Sequence, residues 1–183
     1  MINPETCKVS VKCLNSGEVV VMPTDTVYGL VSLARNPEAV KKMYEAKQRN
    51  GKPGTIIAGS VKQLIEMGFD KQQIMLAEQF WPGPVSVILD APESLDYLHM
   101  GKKSLAVRIP ALVWLQEVLE ATGPLATTSA NLPDEPTVTN IDQAKQIFGD
   151  KVDLYSDGGE ISGVKPSKIV KITDNGQIEI IRN

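Results

Sequence analysis

Apolar and polar positions fall in short blocks along the chain, and the blocks read as strands and helices in turn. Residues 19–22 form an unbroken apolar run, the pattern of a strand covered on both faces. Residues 55–58, 85–89, 105–109 and 125–128 read the same way, as do 152–155, 169–172 and 178–181. Between them the spacing turns helical. Residues 5–16 predict a helix stopped by Gly17. Asn36 caps a second helix, with Pro37 in its first turn, running to about Lys47. Ser60 caps a helix to about Met67, and Asp70 caps another to about Trp81. Residues 111–121 are amphipathic and closed by Gly123-Pro124, and Asn140 caps a helix ending near Phe148-Gly149. The turn Asp174-Asn175-Gly176 joins the last two strands as an antiparallel hairpin. The expectation is one α/β domain over residues 1–183 with a mixed sheet.

Composition narrows the class. With 183 residues, 42% apolar and 22% charged, the chain can bury an ordinary core. Its net charge is −3. No apolar run approaches a membrane span, and the start lacks a basic region followed by an apolar one, so no secretory signal is expected. Cys7 and Cys13 make no disulfide framework and read as free thiols in a reducing cytoplasm. A single histidine, His99, excludes a His-rich metal site, and it reads as an ordinary half-buried or surface residue. No CxxC, HExxH, GxGxxG or nucleophile elbow is present. Residues 158–165 imitate a phosphate loop, but Val164 stands where the lysine belongs.

What remains are polar clusters at strand and helix ends. Thr24, Thr26 and Tyr28 follow the first strand, where the chain is expected to turn. Lys47, Arg49 and Lys52 close the helix from Asn36. Arg108 ends one strand, and Thr127-Thr128-Ser129-Ala130-Asn131 ends another. Ser167 precedes a strand, and Arg182 ends the last. Alone, each reads as a solvated helix end or a turn with side-chain-to-backbone bonds. Trp81-Pro82-Gly83-Pro84 reads as a rigid corner with a packed indole. Together the clusters suit phosphate and carboxylate: arginine forks bind such anions bidentately, and hydroxyls donate in fixed directions. With no evident nucleophile and base, the chemistry expected is positioning plus electrostatic stabilisation, as in phosphoryl or nucleotidyl transfer.

The segments PTDTVYGL (23–30), KQR (47–49), PGPVSVIL (82–89), SLAVRIP (104–110), TSAN (128–131) and PSKIV (166–170), with the terminal Arg182, resemble the YrdC/Sua5 family in its short single-domain form. The resemblance implies a twisted mixed sheet with helices on both sides and a concave central cavity. It implies the reaction of L-threonine, bicarbonate or CO2, and ATP to threonylcarbamoyl-AMP, pyrophosphate and water. The product would pass to a separate transferase complex for the t6A modification of tRNA. The family's Lys-Arg-Ser-Asn tetrad falls on Lys47, Arg49, Ser129 and Asn131. Threonine binding is implied for Thr26, Ile57, Arg108, Thr127 and Ser167. ATP binding is implied for Arg49, Lys52, Ser104, Ser129, Thr137 and Arg182. The implied metal is Mg, held by the nucleotide's phosphates and water rather than by the protein.

This sequence departs from the family pattern in three places. Leu132-Pro133-Asp134 follows the SAN, which stiffens that loop and brings a negative charge toward the expected phosphates. Lys168 replaces the usual Thr, and Arg182 is followed only by Asn183, so a less firmly held Arg182 is expected. Two rivals stand beside the synthase. One is a binder of tRNA or double-stranded RNA without turnover, which the net charge of −3 and the lack of a basic stripe disfavour. The other is a YciO-type paralogue with another substrate; such paralogues tend to lack the full SAN element present at 129–131.

Overall fold

The computed structural model describes residues 3–49, 51–173 and 176–183. Its strands are β1 (Val20–Pro23), β2 (Tyr28–Leu33), β3 (Thr55–Ile57), β4 (Val85–Asp90), β5 (Ser104–Arg108), β6 (Leu125–Ser129), β7 (Leu154–Tyr155), β8 (Lys168–Ile172) and β9 (Ile178–Arg182). They form one mixed sheet in the order β7-β1-β2-β6-β3-β5-β4-β8-β9. The helices are α1 (Pro4–Asn15), α2 (Pro37–Ala46), α3 (Val61–Glu66), α4 (Lys71–Ala77), α5 (Asp96–His99), α6 (Val113–Thr122) and α7 (Ile141–Phe148). The caps read from the sequence do their work. Asn36, Ser60, Asp70 and Asn140 each accept a bond from the backbone N–H three residues on.

Alternation along the strands splits the core in two. Tyr28, Leu30, Ile56, Val87, Val107, Ala126 and Val170 face one way and pack against α2, α3, α4 and α7. Val20, Met22, Val31, Ile57 and Leu125 face the other way, under α1 and α6. That second cover is partial. Beyond it the same face of the sheet continues uncovered, and its residues there are Thr55, Ala106, Thr127 and Ser129.

The structure corrects several expectations. The chain does turn after β1, but only over residues 24–27. It then returns as β2, a six-residue strand buried along nearly its whole length. Gly29 and Ser32 break the apolar pattern there, which is why the strand was not legible. Gly29 has a steric reason to be glycine: a Cβ would come to 2.8 Å from the Thr127 Oγ1 and 3.2 Å from the Thr128 carbonyl. The helix from Asp70 stops at Ala77, followed by a 3-10 turn over Glu78–Phe80, and Trp81 is extended ahead of Pro82. The helix expected from 111 begins at Val113, and the strand expected over 152–155 holds only Leu154–Tyr155. The short α5 gave no signal in the sequence. The closing hairpin is antiparallel, while Asp174 and Asn175 of its turn lie outside the described residues. His99 is buried and its Nδ1 accepts from the Gly101 and Lys103 amides, so it closes a turn. Cys7 and Cys13 are free thiols.

Candidate active site

The uncovered part of the sheet is the floor of a cavity of about 130 Å³ that opens to solvent. Thr55, Ala106, Thr127 and Ser129 form that floor. Its walls are the β1–β2 turn with Thr24 and Thr26, the loop after α2 with Arg49, and Pro166-Ser167 ahead of β8. Arg108 and Arg182 also line it, and among the described residues no carboxylate side chain takes part.

Each arginine is held differently. The Arg108 side chain is 4% exposed and pairs with Asp25, itself 8% exposed, through one Nη2–Oδ1 contact of 2.9 Å. Its Nη1 donates to the Ser86 Oγ at 3.2 Å, and Ser86 in turn meets the Ser167 Oγ at 3.0 Å. Asp25 Oδ2 and Arg108 Nε are buried without a partner. Arg49 touches only uncharged acceptors. Its Nη1 donates to the Thr128 Oγ1 at 2.6 Å, its Nη2 to the Pro53 carbonyl at 2.5 Å, and its Nε to the Lys52 carbonyl. Removal from water lowers the Arg49 guanidinium from its ordinary value; Tyr44 opposes this in part, and the positive charge of Arg182 adds a smaller lowering. Among the described residues no carboxylate is bonded to it to offset that cost.

Arg182 reaches the cavity through an irregularity. From Ile172 to Val170 the β8–β9 register is regular, but Ile169 then pairs with Arg182 instead of Ile181. The extra residue turns Arg182 to the face that carries Ile169 and the cavity. There its Nε and Nη2 donate to the Ser167 carbonyl at 3.0 and 2.7 Å, and Nη2 reaches the Ser167 Oγ at 3.2 Å. The expectation of a loosely held Arg182 is therefore overturned: a bifurcated clamp on the neighbouring strand fixes it.

Lys47 is 4% exposed and does not line the cavity. Its ammonium sits behind Ser129, donating to the Ser129 carbonyl at 2.8 Å, the Asn131 carbonyl at 2.5 Å and the Asn131 Oδ1 at 2.6 Å. Asn131 Oδ1 also accepts from the Ser129 hydroxyl at 2.7 Å, while its Nδ2 ties back the carbonyls of Leu132 and Glu135. Lys47 and Asn131 thus shape the end of β6 and the loop after it. Burial, with the Arg49 charge beside it, pushes the Lys47 ammonium down to about 8. The sign of its effect on stability follows from proton binding. Between about 8 and its unfolded value the unfolded chain holds the Lys47 proton and the folded chain does not, so this residue makes the fold more stable as pH rises through that window. Activity should move the opposite way, falling as pH rises through about 8, because the neutral amine cannot serve all the acceptors that order Ser129. A pH–rate profile alongside a pH–melting profile checks the pair; parallel trends would contradict it.

Of the residues the sequence singled out, Thr26, Arg49, Arg108, Thr127, Ser129, Ser167 and Arg182 come together in this cavity. Six do not line it, Lys47 among them. Ile57 is fully buried beneath α1 and α6, so its side chain belongs to the core on the covered part of the same face. Lys52 is exposed, and only its carbonyl takes part, accepting from Arg49. Ser104 lies at the opposite end of β5 from Arg108, in a separate depression with Lys102, Lys103 and Lys171. Thr137 is half-buried in the loop beyond Asn131, and Asn131 itself stands behind the floor. Asp134 is exposed in a turn at φ 65°, away from the lining. Sequence reasoning missed Asp25 and Ser86, and gave no role to Thr128 within its cluster; these three hold the arginines. It also missed that the Tyr28 hydroxyl donates to the Gly159 carbonyl at 2.8 Å and accepts from the Gly158 amide at 3.0 Å, pinning that stretch to β2.

Known proteins share this fold. The family model described as Telomere recombination (Sua5/YciO/YrdC) matches residues 12–183. A threonylcarbamoyl-AMP synthase of Vibrio campbellii is 34% identical over 86% of this chain and 89% of its own length. The structure of Pyrococcus abyssi Sua5 complexed with L-threonine superposes with a TM-score of 0.86 at 30% identity, covering 100% of this chain; the chain spans 55% of that longer protein. E. coli YciO superposes at 0.83 with 26% identity, covering 100% of this chain and 91% of that one. A mixed sheet with helices on both faces, a basic cavity on its uncovered part and a match over nearly the whole sequence place this chain in the Sua5/YciO/YrdC family.

Proposed function

We propose that the chain joins L-threonine, CO2 or bicarbonate, and ATP into threonylcarbamoyl-AMP, releasing pyrophosphate, and that this product feeds t6A formation on tRNA through a separate transferase. The observation that carries this reading is a cavity lined by Arg49, Arg108 and Arg182 in whose lining no described residue is a carboxylate. Such a surplus of fixed positive charge suits two anionic substrates held side by side. The names of the relatives and the threonine bound to the Pyrococcus abyssi protein support it.

In this reading the threonine amine attacks CO2, loses a proton and becomes an N-carboxylate. One of its oxygens then attacks the α-phosphorus, and the bond to the β-phosphate's bridging oxygen breaks, its electron pair leaving on pyrophosphate. When bicarbonate is the source, water is released. Arg108 would face the threonine carboxylate, with the hydroxyls of Thr26, Thr127 and Ser167 fixing the amino acid. Arg49 and Arg182 would hold the triphosphate and offset charge as pyrophosphate forms, with the Ser129 hydroxyl beside them. Lys47 and Asn131 act one layer back by fixing Ser129. Among the described residues no group of three or more His, Cys, Asp or Glu side chains is placed to cage a metal. Mg would arrive as part of the nucleotide, held by phosphates and water, as the family resemblance implies. No helix among the described residues is long and apolar enough to cross a membrane, and two free thiols suit a cytoplasmic setting.

The test is product identification. Incubated with ATP, bicarbonate and threonine, the chain should yield the threonylcarbamoyl adenylate by mass spectrometry, with serine a poorer partner. No adenylate would sink the reading. The likeness to YciO supports one alternative, a paralogue using another substrate, and preference for a different amine would favour it.

A further inference from the structure

We propose that Asp25 is a specificity-determining residue that sorts the two anions: by cancelling the charge of Arg108 without occupying its fork, it makes that half of the cavity accept an amino-acid carboxylate and refuse phosphate. The inference rests on the proposed reading in assuming one carboxylate and one polyphosphate substrate. Its geometry stands independently of any turnover.

All three arginines open on one cavity, and a triphosphate could be drawn to any of them. Among the described residues only Arg108 of the three carries a counter-charge. Arg49 is bonded to a hydroxyl and two carbonyls, and Arg182 to a carbonyl and a hydroxyl, so both keep their full positive charge. Arg108 meets Asp25, and the pair is sheltered from water and therefore weakly screened. Its Coulomb attraction for a further anion is largely cancelled.

The pairing is also monodentate. A bidentate carboxylate would occupy two parallel donors of the guanidinium. Here only Oδ1 engages a single Nη2, while Asp25 Oδ2 and Arg108 Nε are left unpartnered. Besides the bond to Asp25, the fork gives one more, to Ser86. It therefore keeps donors for a planar, singly charged carboxylate, which depends on matched hydrogen bonds. A polyphosphate, whose affinity depends on net charge, gains little at this neutralised fork and is driven to Arg49 and Arg182. A threonine site without its counter-ion would fill with pyrophosphate, the product, and block the next cycle.

The experiment is a calorimetric titration of inorganic pyrophosphate into the full chain. The wild type should take up a single pyrophosphate. D25N, with Arg108 uncompensated, should take up a second one, and pre-loading with threonine should remove only that second one. D25E restores the negative charge and should return to single occupancy, which a purely structural role for Asp25 would not produce. D25N with unchanged stoichiometry, or D25E behaving as D25N, overturns the proposal. If D25N does not fold by circular dichroism, competition in the wild type decides. Saturating pyrophosphate should leave threonine affinity within about twofold, whereas a loss of about tenfold or more means that phosphate already enters the Arg108 half. None of these readouts needs turnover. An enzyme that makes no adenylate but shows this stoichiometry refutes the proposed reaction and leaves the sorting intact.

Discussion

Arg49→Ala should lower pyrophosphate release from ATP and threonine by a factor on the order of 10² to 10³, the usual consequence of removing one preorganised donor from a developing charge. The residue lines the cavity, bears no counter-ion and is displaced from water, so its guanidinium awaits an anion. Its protein partners are the Thr128 hydroxyl and the carbonyls of Lys52 and Pro53, in a loop with exposed stretches that water can re-solvate. The melting temperature should therefore move little. Arg49→Lys should recover part of the rate but not all, because an ammonium keeps the charge and loses the fork. Steady-state kinetics at saturating threonine, with ATP varied, measure this. Turnover of Arg49→Ala within a few-fold of the wild type would remove Arg49 from the chemistry.

Lys47→Met should act mainly on stability and only through it on rate. The substitution keeps the chain length of a buried side chain but removes the donor from the Ser129 carbonyl, the Asn131 carbonyl and the Asn131 Oδ1. Each buried acceptor left without a donor costs roughly 1–3 kcal/mol, and the losses are not additive within one network. A total of about 3 kcal/mol corresponds to a melting temperature lower by roughly 6–12 °C for a chain of this size. Loosening of Ser129 follows, because Asn131 Oδ1 is also the acceptor of the Ser129 hydroxyl. Calorimetry with parallel kinetics separates this from Arg49→Ala: here rate and stability fall together, there rate falls alone. An unchanged melting temperature would mean that the Lys47 contacts do not hold the loop.

The contrast between these two cations shows where the sequence stops being informative. Lys47 and Arg49 stand two residues apart at the end of one helix, and nothing local distinguishes them. Their fates differ because the helix end turns there: Gln48 takes a left-handed φ of 53°. Helix boundaries and most strands were legible, since caps such as Asn36 and Asp70 and apolar runs such as Leu125–Thr128 carry their own signal. β2 was hidden by Gly29, which answers to the close approach of β6, and by Ser32, whose hydroxyl faces Met43 of α2, rather than to a local pattern. Ile57 was assigned to the threonine pocket by resemblance, yet its side chain faces α1 and α6, because the cavity ends where those helices begin. The bulge that aims Arg182, and the pairing of Asp25 with Arg108 across 83 residues, are properties of register and sheet curvature. Periodicity in one strand cannot report either.

The central claim is that Arg49, Arg108 and Arg182 divide one cavity between a carboxylate and a triphosphate. A crystal structure of the chain with threonine and a non-hydrolysable ATP analogue tests it most directly. The account predicts the threonine carboxylate within about 3 Å of the Arg108 guanidinium, and triphosphate oxygens at similar distances from Arg49 and Arg182. A triphosphate seated on Arg108, or a nucleotide bound outside the floor of Thr55, Ala106, Thr127 and Ser129, would contradict it.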